Sequence, residues 1–191
     1  MTIIPLIIFV LVMVGTPGPA NLLLMSGGSN FGFRRCLPFI LGLILGKLIL
    51  NIGIGFGLGA LVAENNFLQN ILKFMSAVFM IFLATKTWNT IDAKNTNKKV
   101  FLFREGLLVH PLSPKTWVML ILAWTEYSND YEEFLTQLLI LIIVFFVIQT
   151  VFHVLYCLIG QSLQSTFSNN TYLQKIMTIL TIAAVLFALL V

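Results

Sequence analysis

The chain has 191 residues, of which 59% are hydrophobic and 9% charged, and carries a net charge of +4. Its mean hydropathy is +0.99. Soluble chains carry roughly 25% charged residues, so this composition excludes a soluble domain and fits an all-α polytopic membrane protein. The positive charge sits in loops, where it bears on membrane orientation and not on nucleic acid. Two cysteines, Cys36 and Cys157, are too few for a disulfide framework.

The first apolar run covers residues 3–25 and is long enough to cross a bilayer, for which about 20 residues suffice. It has no basic n-region and no small-residue cleavage site, so it reads as helix 1 and not as a removed signal peptide. Gly15-Thr16-Pro17-Gly18-Pro19-Ala20-Asn21 interrupts it. Proline lacks an amide proton and clashes with the carbonyl four residues back, so Pro17 and Pro19 free the carbonyls of Met13 and Gly15. In hydrocarbon a freed carbonyl costs several kcal/mol, so the break must face protein or water. Thr16-Pro17 also has the form of a hydroxyl N-cap followed by proline at the first helical position. A half-helix is predicted to begin there, with amide donors and partial positive charge near the midplane.

A Gly-rich turn at residues 27–32 and the pair Arg34-Arg35 precede helix 2, predicted over 37–62. Gly42 with Gly46 and Gly53 with Gly57 are small-xxx-small pairs, suited to close helix contact within the protomer or across a homodimer. Helix 3 is predicted over 67–88, followed by a polar linker at about 90–100. Helix 4 runs to Trp124 and contains a second break, His110-Pro111-Leu112-Ser113-Pro114-Lys115, whose prolines free the carbonyls of Leu107 and His110. An acidic loop with Glu126, Asp130, Glu132 and Glu133 leads to helix 5 at 134–159. A polar loop at 161–171 leads to helix 6 at 172–191.

Six transmembrane helices in one domain, residues 1–191, divide as three plus three: repeat 1 at about 1–89 and repeat 2 at about 101–191. An odd number of helices per half inverts the second half, the plan of many secondary transporters with midplane sites between broken helices. Loops 1 and 3 are basic and the fourth connection is acidic, so loops 1 and 3 are expected in the cytoplasm and both termini outside.

Each break offers amide donors that suit an anionic group and freed carbonyls that suit a cationic one. Thr16, Pro17, Gly18, Pro19, Asn21, Ser113, Pro114 and Lys115 are candidates from the breaks themselves. Lys115 opens a half-helix, where its charge opposes the dipole unless an anion comes near. A charge in mid-span invites a functional reading. Lys47 is therefore a candidate for the substrate or coupling, against snorkelling or a structural hydrogen bond. His110, beside the second break, is a candidate for substrate binding, and His110 and His153 are candidate proton relays, against ordinary interhelical contacts. Asn51 and Gln149 read as interhelical hydrogen bonds; Trp88, Trp124, Tyr127 and Tyr131 read as interfacial anchors, while Trp117 is placed to line the cavity. No mid-span carboxylate, metal-ligand spacing, nucleophile elbow or phosphate loop is present in the sequence, and no cofactor is expected.

Thr16-Pro17-Gly18-Pro19 with Asn21, then Gly32-Phe33-Arg34 and Gly42-x3-Gly46, resembles the first half of the lysine-exporter (LysE/RhtB) family of amino-acid exporters. Phe103-x2-Gly106 and Ser113-Pro114-Lys115 resemble its second half, with Ser113 in place of a usual asparagine and Ala20 where asparagine is common. The Gly-Phe-Arg turn, Gly160-Gln161 and the length resemble the branch exporting cysteine and O-acetylserine. The resemblance implies export of small neutral amino acids across a bacterial inner membrane, with an amino acid and lipid as the partners. The alternatives are a membrane enzyme using an intramembrane histidine, or a substrate-free assembly subunit.

Overall fold

The computed structural model describes residues 3–88, 101–127, 133–166, 175–176 and 178–183. The linker, most of the acidic loop, Tyr131, the side chain of Trp88 and most of predicted helix 6 lie outside the described residues. Among the described residues the regular structure is all helix with no strand, a polytopic membrane protein as its composition requires.

The first apolar run is two helices, α1 (Ile3–Gly15) and α2 (Pro19–Phe31), bent by 56°. The predicted turn at residues 27–32 is helical up to Phe31, and the chain turns only at Gly32, whose φ of 79° suits glycine. α3 (Phe33–Gly53) continues through a wider π turn (Ile54–Leu58) bent at Gly57 into the short α4 (Gly59–Ala63). α5 (Asn66–Trp88) follows. α6 (Phe103–Leu112) and α7 (Pro114–Tyr127) form the second bent pair, at 61°. α8 (Phe134–Thr166) runs further than the expected helix 5. The α3-to-α4 stretch, α5 and α8 are each long and apolar enough to cross a bilayer; counting each bent pair as one span brings the described crossings to five.

Two close backbone crossings set the arrangement. A side chain on Gly42 or Gly46 of α3 would collide with the backbone of α6 at Phe103 or Leu107, and one on Gly106 with Phe39. A side chain on Gly28 of α2 would collide with the Cys157 carbonyl of α8, and one on Gly160 with that of Met25. The first small-xxx-small pair is thus used inside the protomer. By contrast, Gly53 precedes the π turn and Gly57 lies within it, and neither meets another helix's backbone.

The buried apolar residues fall into two clusters. One holds Leu23, Leu24, Phe39, Leu43, Met80, Val109 and Cys157 among others. The other holds Leu6, Val10, Val14, Leu50, Met119, Leu120, Phe145 and Ile148 among others. Four passes of the chain cross from one cluster to the other, and each carries polar residues at the crossing. These are the first break between Val14 and Leu23, Lys47 between Leu43 and Leu50, the second break between Val109 and Met119, and Gln149 and His153 between Ile148 and Cys157. A polar layer therefore lies between two dry ones. Outward faces are apolar and exposed, as at Ile8, Leu41, Phe74 and Ile143, which suits lipid.

Candidate functional site: a basic cavity between two helix breaks

The first break leaves five carbonyls, those of residues 12–16, and each has found a donor. Thr16 returns its own N–H to Val12 O and its hydroxyl to Val12 O and Met13 O, all at 3.0 Å. Asn21 reaches back with Nδ2 to Val14 O (2.9 Å) and Thr16 O (3.3 Å). Tyr156 of α8 donates its hydroxyl to Gly15 O at 2.7 Å. The predicted N-cap role of Thr16 is corrected here: its hydroxyl closes the end of α1, and α2 begins two residues later with Gly18 as N-cap. The reason is local. Gly18 precedes Pro19, and a residue before proline is driven out of the α region; it sits at φ −139°, ψ 174°.

At the second break only Ser113 is non-helical, between the end of α6 at Leu112 and the start of α7 at Pro114. Its carbonyl accepts from the amides of Thr116 (2.9 Å) and Trp117 (3.3 Å), while its own amide takes the freed His110 carbonyl at 3.1 Å. Trp117 Nε1 donates to Pro111 O at 2.7 Å. The Leu107 carbonyl lies against Gly46 of α3.

Lys115 links the breaks. Its Nζ donates to Thr16 O (3.1 Å) and Thr16 Oγ1 (2.9 Å), so its charge sits at the C-terminal end of α1, where a cation is favourable. The expected conflict with the dipole of its own half-helix is relieved without an anion.

Between the breaks lies a cavity of about 40 Å³, lined among others by Gly18, Pro19, Asn21, Lys47, His110, Ser113, Lys115, Thr116 and His153. A single water needs roughly 10–15 Å³ on this measure, so this conformation holds a few waters and is too tight for a whole amino acid. Of the sequence candidates, Thr16, Pro17 and Pro114 do not line it. Pro114 and Trp117 line a separate, more apolar cavity of about 290 Å³ between the α4–α5 corner and α7, so the expected place of Trp117 is corrected.

Lys47 is 3% exposed. Its ammonium has only soft neighbours, the Met119 thioether at 4.0 Å and the face of Phe145 at 4.5 Å from the ring centroid. Snorkelling is therefore not its explanation. No carboxylate pairs with it among the described residues; the ion pair Lys86–Glu105, at 2.8 Å, lies elsewhere, where Glu105 also caps the Leu102 amide. His110 is bonded at both ring nitrogens, Nδ1 to Thr116 Oγ1 (3.0 Å) and Nε2 to Gln149 Nε2 (3.2 Å). Because the Gln149 amide nitrogen donates, His110 Nε2 accepts and Nδ1 carries the proton. His153 stacks on His110 with ring centroids 5.4 Å apart, and its Nδ1 has no partner among the described residues. Gln149 also bonds Leu43 O, and Asn51 accepts from Trp124 Nε1 at 2.9 Å, so both are interhelical as read; Trp124 is tied into the bundle. Sequence reading missed Thr116, Met119 and Tyr156, which carry no signal in an apolar run until their neighbours are known.

The profile of the family described as LysE, LysE type translocator, matches residues 11–191, nearly the whole chain. This chain belongs to that family. Among individual proteins, the chain is similar to the homoserine/homoserine lactone efflux protein of Salmonella typhimurium, 28% identical over 132 residues, 66% of this chain and 64% of that protein. The protein of the same description from Salmonella typhi matches equally. An uncharacterized membrane protein of Vibrio cholerae serotype O1 is 26% identical over 131 residues, 65% of this chain and 64% of its own length. The chain thus spans just under two thirds of the length of these relatives. No solved structure matches this LysE type translocator family member.

Proposed function

We propose that this chain is a secondary transporter, not an enzyme, that exports small neutral amino acids through the cavity between its two helix breaks. The observation that carries the reading is Lys47, a buried ammonium on the cavity wall with a thioether and an aromatic face in place of a carboxylate. Leaving a charge so poorly compensated costs several kcal/mol. A substrate carboxylate supplies the missing partner, and Lys115 stands across the cavity as a second cation. The efflux proteins it resembles act on homoserine and its lactone by their description; homoserine, serine, threonine, cysteine and O-acetylserine form the class to test. Ser113 and the Gly18–Pro19 backbone line the route, and His110 and His153 are the candidates for moving a coupling proton. The 40 Å³ volume means that the site must widen to load. In this reading the chain is two inverted three-helix repeats in a bacterial inner membrane with both termini outside, as the basic loops require.

The test is counterflow in proteoliposomes loaded with each amino acid. Wild type exchanges at least one of them. Lys47→Met lowers exchange by about 100-fold, the scale of losing one charged partner in a buried pair, and unfolds at a higher temperature because an uncompensated charge is gone. Exchange unchanged in Lys47→Met, or silence of the wild type with every amino acid, removes the reading.

A further inference from the structure

The proposed function needs a seat for the substrate's ammonium group, and most of the freed carbonyls, the obvious choice from sequence, already have a donor. At the first break Thr16, Asn21, Tyr156 and Lys115 occupy them. At the second, the Ser113 amide and the Trp117 indole occupy those of His110 and Pro111. An arriving ammonium would have to share each of these oxygens with a donor already in place.

A buried side-chain acceptor on the cavity wall differs from these carbonyls. His153 lines the cavity, is 1% exposed, and has a ring nitrogen with no partner among the described residues. Its stacked neighbour His110 offers nothing further, being bonded at both nitrogens. The titratable groups facing this point are Lys47 from α3, His110 from α6 and Lys115 from α7, while α1 and α2 contribute none. Two of these are cations that can only donate, so neither can hold a second ammonium. A neutral imidazole, by contrast, has one nitrogen that accepts.

Resting on the transport reading, we propose that His153 is the ammonium seat of the site: the substrate's –NH3+ donates to its imidazole while the carboxylate turns toward Lys47. The substrate is then held by its two charged ends between α8 and α3, with its side chain toward the breaks. The pair of contacts selects an α-amino acid over a plain carboxylic acid. It also makes amino acid and proton exclude one another, because both need the same lone pair.

The test compares L-homoserine with 4-hydroxybutanoate, which keeps the carboxylate and hydroxyl and lacks the ammonium, in equilibrium binding to purified full-length protein. Wild type is expected to prefer L-homoserine by about tenfold or more, the scale for a site built around a polar contact. His153→Phe keeps a ring against His110 and removes the acceptor. It is expected to weaken L-homoserine by about tenfold and leave 4-hydroxybutanoate within about threefold. His153→Gln, which restores an acceptor, recovers most of the preference. If His153→Phe weakens both ligands equally, the histidine is structural and the proposal fails, while the transport reading stands. The same holds if the wild type shows no preference, a result that needs no variant to fold. No binding of either ligand by the wild type overturns the proposal together with homoserine as substrate.

Discussion

The two helix breaks do the same thing in different ways. The first opens three residues of non-helical chain, 16–18, and the second only one, Ser113, yet the bends are 56° and 61°. The difference follows from a second proline. Pro19 forces Gly18 into an extended conformation and delays the new helix, whereas Lys115-Thr116 after Pro114 lets α7 begin at once. The wide break exposes more backbone and recruits Asn21, Tyr156 and Lys115 to cover it. The narrow one mostly covers itself. A single helical break is therefore cheap in partners, while a double one must be built into its surroundings.

Substitutions at the breaks sharpen this contrast. The largest effect is expected from Asn21→Leu, which strands the carbonyl of Val14 and removes one of the two donors to Thr16 O. At about 1–3 kcal/mol for the unsatisfied group and about 1 kcal/mol for the second bond, thermal unfolding in detergent should show a loss of about 2–4 kcal/mol. Lys115→Met should cost less, about 1.5–3 kcal/mol, the range for a hydrogen bond to a charged group. Its sign is opposite to that expected for Lys47→Met, because Lys115 donates to two oxygens of Thr16 while Lys47, among the described residues, meets only a thioether and an aromatic face. A double-mutant cycle of Lys115→Met with Thr16→Val should return a coupling of about 0.5–3 kcal/mol; additivity would mean that the two breaks are not joined through this contact. Trp117→Phe, losing one bond to Pro111 at the self-covered break, should cost about 1 kcal/mol. If it costs more than Asn21→Leu, the contrast between the breaks is wrong.

Much of this was legible before any coordinates. Prolines in mid-span announce freed carbonyls, and a lysine between Gly46 and Leu48 announces a buried charge, because both are local violations of an apolar helix. The direction in which Thr16 uses its hydroxyl was not legible. A threonine between two helices can close the one behind or cap the one ahead, and the choice hung on the pre-proline constraint at Gly18. The partners of the freed carbonyls were hidden for a different reason. Tyr156 lies 141 residues from the carbonyl it covers and Lys115 lies 99 from Thr16, distances over which periodicity says nothing. Gly42 and Gly46 announced a close contact, but the partner helix, α6, emerged only from the fold.

The polar layer sealed above and below by dry side chains has a final consequence. Under the proposed transport reading, such an arrangement would work as an airlock: solute would enter when one seal parts and leave when the other does, and a channel would form if both part together. Loosening both seals at once should therefore be worse for a cell than losing either function alone. Leu24→Ala in one seal and Leu120→Ala in the other, both fully buried, should each be tolerated better than the pair. Ion leak through vesicles carrying the double variant is the sign to look for.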